Sequence, residues 1–414
     1  PTPVRVEIFP SHADFSVRTL GEAGLGALGV SFGSTLVMDS PSAREPGDFN
    51  WESTLWHELA HAFHLAMTDH RVPRWFSEGL AVHEQRTADE RWGPPLSPGW
   101  LQAYQAGRLH PVSRLNEGFV RPDYPEQVLY SYYEASLVFD MIEERQGFDA
   151  VLAMLRGYRD GRTTGEVVRE VLGMDLDHLD DAFDDYVEER FGDRMAAVAP
   201  LTDGPPTGAP SLEALRQQAR RHPGSFQARL ALGKALYKEG DREEAEGELQ
   251  AAQDLFPEYG AGDSPWLYLA RIHRDQGELE TAAGELNALG RRNEGLLQVH
   301  LEEAGIRTQL GQSEAAARAL EKAVEVFPYD VETHVRLAEL YGELGDPPGA
   351  VRERRAVLAL DPVDVADAHY RLADALLRGG DREGARREVL RSLEIAPNFQ
   401  AALDLLLEIR GGAR

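Results

Sequence analysis

"TLWHELAHAFHLAM", residues 54–67, places His57 and His61 four residues apart with Glu58 directly after the first. On an α-helix, positions i and i+4 project from one face about one turn apart, so both imidazoles can reach one ion. Glu58 lies ~100° around the axis, close enough to touch a water on such an ion without ligating it. His64 shares the face but sits seven residues beyond His57, ~10 Å along the axis. Ligand atoms ~2 Å from one ion must lie within ~3.5 Å of each other. His64 is therefore expected to be a packed or hydrogen-bonded histidine, and a third ligand has to come from elsewhere.

"VPRWFSEGLAVHEQ", residues 72–85, offers one. Pro73 ends a turn and starts a second helix, which Trp75, Leu80 and Val82 can anchor. Glu78 falls in its first turns, 17 residues after His61. A short loop lets this helix return antiparallel and bring the carboxylate to the two imidazoles. His83 and Glu84 point elsewhere on the helix and are read as surface residues.

Composition narrows the chemistry. The chain has 414 residues and no cysteine, so any metal must be held by His, Asp or Glu, and disulfides and thiol nucleophiles are excluded. The formal net charge is −27, with Lys234, Lys238 and Lys322 as the only lysines. A surface this acidic repels phosphate backbones, so nucleic acid is not an expected partner. The densest acidic stretch, "DLDHLDDAFDDYVEER" at 175–190, carries Leu176, Leu179, Phe183 and Val187 at helical spacing and reads as a solvated helix. No apolar run approaches the ~20 residues of a membrane helix. The opening "PTPVRVEIFP" has neither Met nor a charged-then-apolar leader, which is compatible with a signal peptide removed upstream.

After residue 220 the sequence repeats. Gly240, Gly277, Gly311, Gly345 and Gly380 recur at spacings of 37, 34, 34 and 35 residues. Five positions after each stands an alanine: Ala245, Ala282, Ala316, Ala350 and Ala385. Seventeen after stands Pro257, Pro328, Pro362 or Pro397, except in the second unit, where Glu294 takes the place. This pattern predicts a helix, a tight turn at Gly, and a second helix ended by Pro, each unit covering its neighbour's apolar face. It resembles the tetratricopeptide repeat, in about five units over residues 225–414. The resemblance implies a protein partner on a concave face. Residues 196–224 read as a Pro/Gly-rich linker ("APLTDGPPTGAPS", 199–211) and a lead-in helix.

The first half, residues 1–195, reads α+β. "VRVEIF" (4–9) and part of "GALGVSFGSTLVMDSP" (26–41) alternate as strands do, and the pattern beyond Pro41 is helical almost throughout. The expected fold is a small N-terminal sheet with a helical body, followed by an all-α solenoid.

"HELAH" followed by "WFSEGLA" resembles the gluzincin metallopeptidases, the group of thermolysin and the zinc aminopeptidases. More closely, it is similar to peptidase-MA-like domains of bacteria that are joined to tetratricopeptide repeats. The resemblance implies a zincin-like fold over residues 1–195, Zn2+ held by His57, His61 and Glu78, and Glu58 as general base. It implies an oxyanion-stabilising tyrosine on the helix of "VLYSYYEASLVFDMIEERQG" (128–147); aligning Ala135 and Ser136 with the family's small-residue step makes Tyr132 the best match, then Tyr133 and Tyr130. "GALGVSFG" resembles the edge strand that pairs with an extended substrate. The resemblance leans toward a bacterial envelope location.

Two departures matter. The aminopeptidase motif Gly-x-Met-Glu-Asn is missing, which favours an endopeptidase. Val82 stands where thermolysin has the aspartate that orients the first histidine, so the acceptor for His57 is expected from elsewhere, such as a backbone carbonyl. The expected function is a zinc-dependent peptidase with repeats that recruit protein. The alternative is a non-catalytic domain serving a repeat-based scaffold.

Overall fold

The central strand of the sheet, β3 (Thr35–Asp39), is buried almost end to end: Leu36, Val37 and Met38 are all within 1% of full burial. A strand covered on both faces reads as a continuous apolar run, as "LVM" does. In the computed structural model it is flanked by β1 (Arg5–Phe9), parallel to it, and β2 (Gly29–Ser31), antiparallel, in the order β1-β3-β2. The structure describes residues 3–21, 26–47, 49–201 and 210–411.

The parallel pairing of β1 with β3 requires a crossover, and α1 (His12–Leu20) supplies it. The alternation-based reading of strands first and helices afterwards did not include this helix. Its signals are local: Ser11 caps it by accepting from the Asp14 N–H, and Gly21 ends it at φ 78°. Buried Asp39 ties the far side of the sheet to His12 (2.9 Å) and Arg44 (2.7 Å).

The helical body follows: α2 (Trp51–Thr68), α3 (Arg74–Ala88), α4 (Pro98–Gln105), α5 (Asn116–Val120), α6 (Gln127–Gln146), α7 (Phe148–Arg159), α8 (Thr164–Val171) and α9 (Leu176–Ala197). Asn50 caps α2, accepting from the N–H groups of Glu52 and Ser53 at 3.0 and 3.1 Å. Asp69 and His70, both at positive φ, turn the chain, and Pro73 opens α3 as expected. α3 then crosses α6 at very short range. A Cβ on Gly79 would lie 2.8 Å from the backbone and Cβ of Ala135, so only glycine permits this approach. Beside that crossing, Phe76 meets Phe139 and Tyr158 edge-on, with ring centres 4.7 and 5.0 Å apart.

The expected linker falls largely on residues 202–209, outside the described residues; the lead-in helix is α10 (Leu212–Arg221). Two helix pairs follow, α11 (Phe226–Glu239) with α12 (Arg242–Leu255) and α13 (Pro265–Gln276) with α14 (Leu279–Gly290). Their buried Phe226, Leu249, Phe256 and Leu269 belong to the same apolar cluster as Trp75, Phe139 and Phe191. The first compact unit accordingly runs from residue 1 to residue 296.

The second unit, residues 297–414, has only helices as regular structure among its described residues: α15 (Leu297–Gln309) with α16 (Ser313–Val326), α17 (Val331–Glu343) with α18 (Pro347–Ala359), α19 (Val365–Arg378) with α20 (Arg382–Ile395), and a last helix α21 (Gln400–Gly411). All five repeat glycines adopt positive φ, between 71° and 90°, the left-handed turn that ends a helix. The alanines five positions later are buried, and their methyl side chains let paired helices approach. Among the described residues no helix is long and apolar enough to cross a membrane.

The α3–α6 crossing makes one firm demand. Gly79→Ala should destabilise the folded chain by about 1–3 kcal/mol, the usual cost of overpacking, read as a lowered midpoint in thermal or urea unfolding of the first unit.

Candidate metal centre

Three electron-pair donors from two helices converge. His57 and His61 project from α2 with their Nε2 atoms 3.0 Å apart. Glu78 Oε2, from α3, lies 3.3 Å from His57 Nε2 and 3.2 Å from His61 Nε2. Among the described residues, these three form the group of His, Asp and Glu side chains whose ligating atoms all lie within 4.8 Å of one another.

The outer edges of both imidazoles are held by other side chains. Gln85 Oε1 sits 2.9 Å from His57 Nδ1, and the Gln85 amide donates to the carbonyl (3.0 Å) and hydroxyl (2.7 Å) of Ser53. The amide orientation leaves Oε1 to accept from His57 Nδ1–H, so the Nε2 lone pair faces inward. The acceptor for His57 is thus a side-chain amide seven residues after Glu78, not the backbone carbonyl expected. His61 Nδ1 lies 2.9 Å from both Ser77 Oγ and His64 Nε2. The pKa of His64 is lowered to about 2 by desolvation and by the neighbouring His61 and His57, and its Nε2 meets the Nδ1 edge of His61 rather than the inward Nε2, outside the three-donor group. Arg74 donates to the other oxygen of Glu78, Oε1, at 3.3 Å, leaving Oε2 to the histidines.

This donor set fits a zinc ion. Ligand atoms ~2.0–2.1 Å from a tetrahedral ion stand about 3.3–3.5 Å from each other, and the three separations here are close to that. A carboxylate facing two imidazoles also favours positive charge at this point: burial works against charge on His57, but its bond to Glu78 and the charges of Glu58 and Glu78 prevail and raise it to about 9. Glu78 is held well below the carboxylate range; burial opposes this, and the bonds to His57 and His61 outweigh it.

Glu58 stands beside the trio and is buried, and its Oε2 has no hydrogen-bond partner among the described residues. Burial raises its pKa, with His57 and His61 pulling the other way. Gly29 of edge strand β2 faces it: a Cβ there would fall 2.7 Å from Glu58 Cγ and Oε1. The strand therefore meets the carboxylate with bare backbone.

Of the three tyrosines, the structure brings Tyr132 to the site. Its ring centre is 6.3 Å from that of His57, and both line a cleft of about 370 Å³ with Glu58 and Gly29. Arg74 also bonds the Tyr132 hydroxyl, and burial pushes that group up, so it stays protonated. Since Arg74 only donates, the Tyr132 O–H is free to donate in turn. Tyr133 instead packs in the core against Trp100, ring centres 5.1 Å apart, and Tyr130 lies against Gly99 on α4.

His83 is not a surface residue. It is buried between α3 and α6, with Nδ1 2.9 Å from Asp140 and Nε2 2.9 Å from Glu143. The reading failed because α3 is covered by α2 on one side and α6 on the other, leaving little solvent face; Glu84 is half-buried. Sequence reasoning also missed Arg74, Ser77 and Gln85. Arg74 had one usable signal, its place four residues before Glu78.

Residues 29–189 match the family model of the Peptidase MA superfamily, and residues 209–260 and 335–401 match that of the tetratricopeptide repeat. The chain carries a Peptidase MA superfamily domain followed by tetratricopeptide repeats. No curated protein matches it significantly. Among solved structures, it is similar to YrrB, described as "a TPR protein with an unusual peptide-binding site", at 18% identity over 47% of this chain and 98% of that one, TM-score 0.36. It is similar to MamA at 16% identity over 41% of this chain and 90% of that one, TM-score 0.32. A thermophilic TPR protein of Thermus thermophilus matches at 24% identity over 45% of this chain and 98% of that one, TM-score 0.23.

Gln85→Leu removes the acceptor that orients His57. Zinc affinity should fall by about 10–100-fold, measured by competition with a chelator, while stoichiometry at saturation is kept.

Proposed function

We propose that the Peptidase MA superfamily domain is a zinc-dependent peptidase, acting as an endopeptidase. The observation that carries this is the pairing of a three-donor cluster with a buried carboxylate one residue from the first donor, one of whose oxygens has no hydrogen-bond partner among the described residues. His57, His61 and Glu78 would hold the ion, with its remaining position open, whereas a structural zinc takes four protein ligands. Zinc, when bound, supplies Lewis acidity for the scissile carbonyl and makes water a stronger acid.

Glu58 takes a proton from the attacking water and returns it to the amine as the C–N bond breaks. Its upward-shifted pKa suits both halves of that transfer. Tyr132 donates its O–H to the oxyanion of the tetrahedral intermediate, with Arg74 bonded to the phenolic oxygen from the other side. Among the described residues, β2 is an outer strand of the sheet and pairs with β3 alone. An extended peptide can add there as a further strand, its affinity coming from main-chain bonds rather than from side chains. Gly29 lets that peptide lie close to Glu58.

A second reading is favoured by the five helix pairs after residue 225. Tetratricopeptide repeats point to protein or peptide partners, and a chain using its front domain only for recognition would need no catalysis. The open fourth position and the orphaned Glu58 oxygen have no use in that reading.

Glu58→Gln should retain about one zinc per chain and lose cleavage by about 10²–10⁴-fold. Glu78→Ala should lose zinc and activity together. Metal analysis beside a peptide-library digest checks both, and undiminished cleavage by Glu58→Gln would end the mechanism. Tyr132→Phe should lower kcat by about 10²–10³-fold while KM and zinc content stay near those of the parent chain.

A further inference from the structure

The turn between α14 and α15 is where the second repeat departs from the others, with Glu294 in the proline position. This turn lies on the catalytic cleft. Asn293, Glu294 and Gly295 line the same cavity as His57, Glu58 and Tyr132, opposite chain segments around Gly47 and Gly93.

It is fixed there from several directions. Glu294 accepts from the Gly93 N–H at 3.3 Å and bonds the hydroxyl of Ser53, the residue that holds Gln85 behind His57. Gly295 and Gly47 meet backbone to backbone: a Cβ on Gly295 would lie 2.8 Å from the Gly47 carbonyl oxygen, and one on Gly47 would lie 3.0 Å from that of Gly295. Arg291 pairs with Glu90 at 2.7 Å. On the repeat side, Asn293 donates to the Gly260 carbonyl at 2.8 Å and accepts from the Gly295 N–H at 2.9 Å. A proline at 294 would lack the carboxylate that makes the first of these anchors.

We infer that residues 293–295 form a wall of the substrate cleft and determine which peptide side chains it admits, so that the second repeat is part of the peptidase rather than an appendage to it. The inference rests on the peptidase reading. Close contact with Gly47 accounts for glycine at 295, where bulk would part the two loops, while Gly47 also has a positive φ of 99°. Burial also pushes Glu294 up to about 7. Glutamine is isosteric with its protonated form and can keep both bonds.

The test uses the 414-residue chain loaded with zinc, with cleavage of a diverse peptide library read by mass spectrometry and binding of a peptide hydroxamate read by calorimetry. Gly295→Ala should change kcat/KM by about tenfold or more for some peptides, and by differing factors for different side chains. Hydroxamate affinity should shift with them and zinc content should not. Glu294→Ala adds no bulk; with the same unfolding midpoint as the parent it should shift preference too, and Glu294→Gln should restore the parent profile. If the parent chain binds zinc and hydroxamate but both Gly295→Ala and Glu294→Ala leave preference and affinity unchanged, the wall is overturned alone. If the parent chain takes up no zinc, the peptidase reading fails and the wall fails with it.

Discussion

Two imidazole nitrogens 3.0 Å apart, both facing a carboxylate oxygen at 3.2–3.3 Å, make an arrangement that a positive charge stabilises. The rest of the first unit is organised around that constraint. Each imidazole is locked by a partner on its outer edge, Gln85 for His57 and the Ser77–His64 pair for His61. Arg74 spans the two parts of the site, holding one oxygen of Glu78 and the hydroxyl of Tyr132. Buried polar groups of this kind are costly unless every partner is in place, so the surrounding helices have little freedom to shift.

Glycine supplies the necessary proximity. Gly79 lets α3 settle on α6, which brings Tyr132 of α6 within electrostatic range of Glu78 on α3. Gly29 lets β2 approach Glu58, and Gly47 with Gly295 lets the second repeat reach the cleft from the other direction. The apolar cluster that supports these contacts extends through Phe226, Phe256 and Leu269, so the repeat sequence begins before the first core ends.

The sequence was most legible where the physics is short-range or periodic. His57, Glu58 and His61 are fixed by one helical turn, and the repeat glycines by a backbone conformation that few other residues adopt. Pro73 and a short turn sufficed to bring Glu78 back to the histidines. Legibility stopped where function depends on what packs against what. Gln85 and Ser77 are ordinary helix residues until α2 lies beside α3. Tyr132 and Tyr133 are neighbours in sequence, and only the crossing with α3 sends one to the cleft and the other into the core. Glu294 broke the repeat visibly, but its reason lies 201 residues away, at Gly93.

As proposed, two imidazoles and one carboxylate, and no third imidazole, hold a zinc ion. X-ray absorption at the zinc edge, on protein purified without added metal or chelator, measures this directly. The expected result is stoichiometric zinc with two histidines among light-atom ligands at ~2.0–2.1 Å and no change in that shell on His64→Ala. A chain that holds no zinc, or a shell containing three imidazoles, would contradict it.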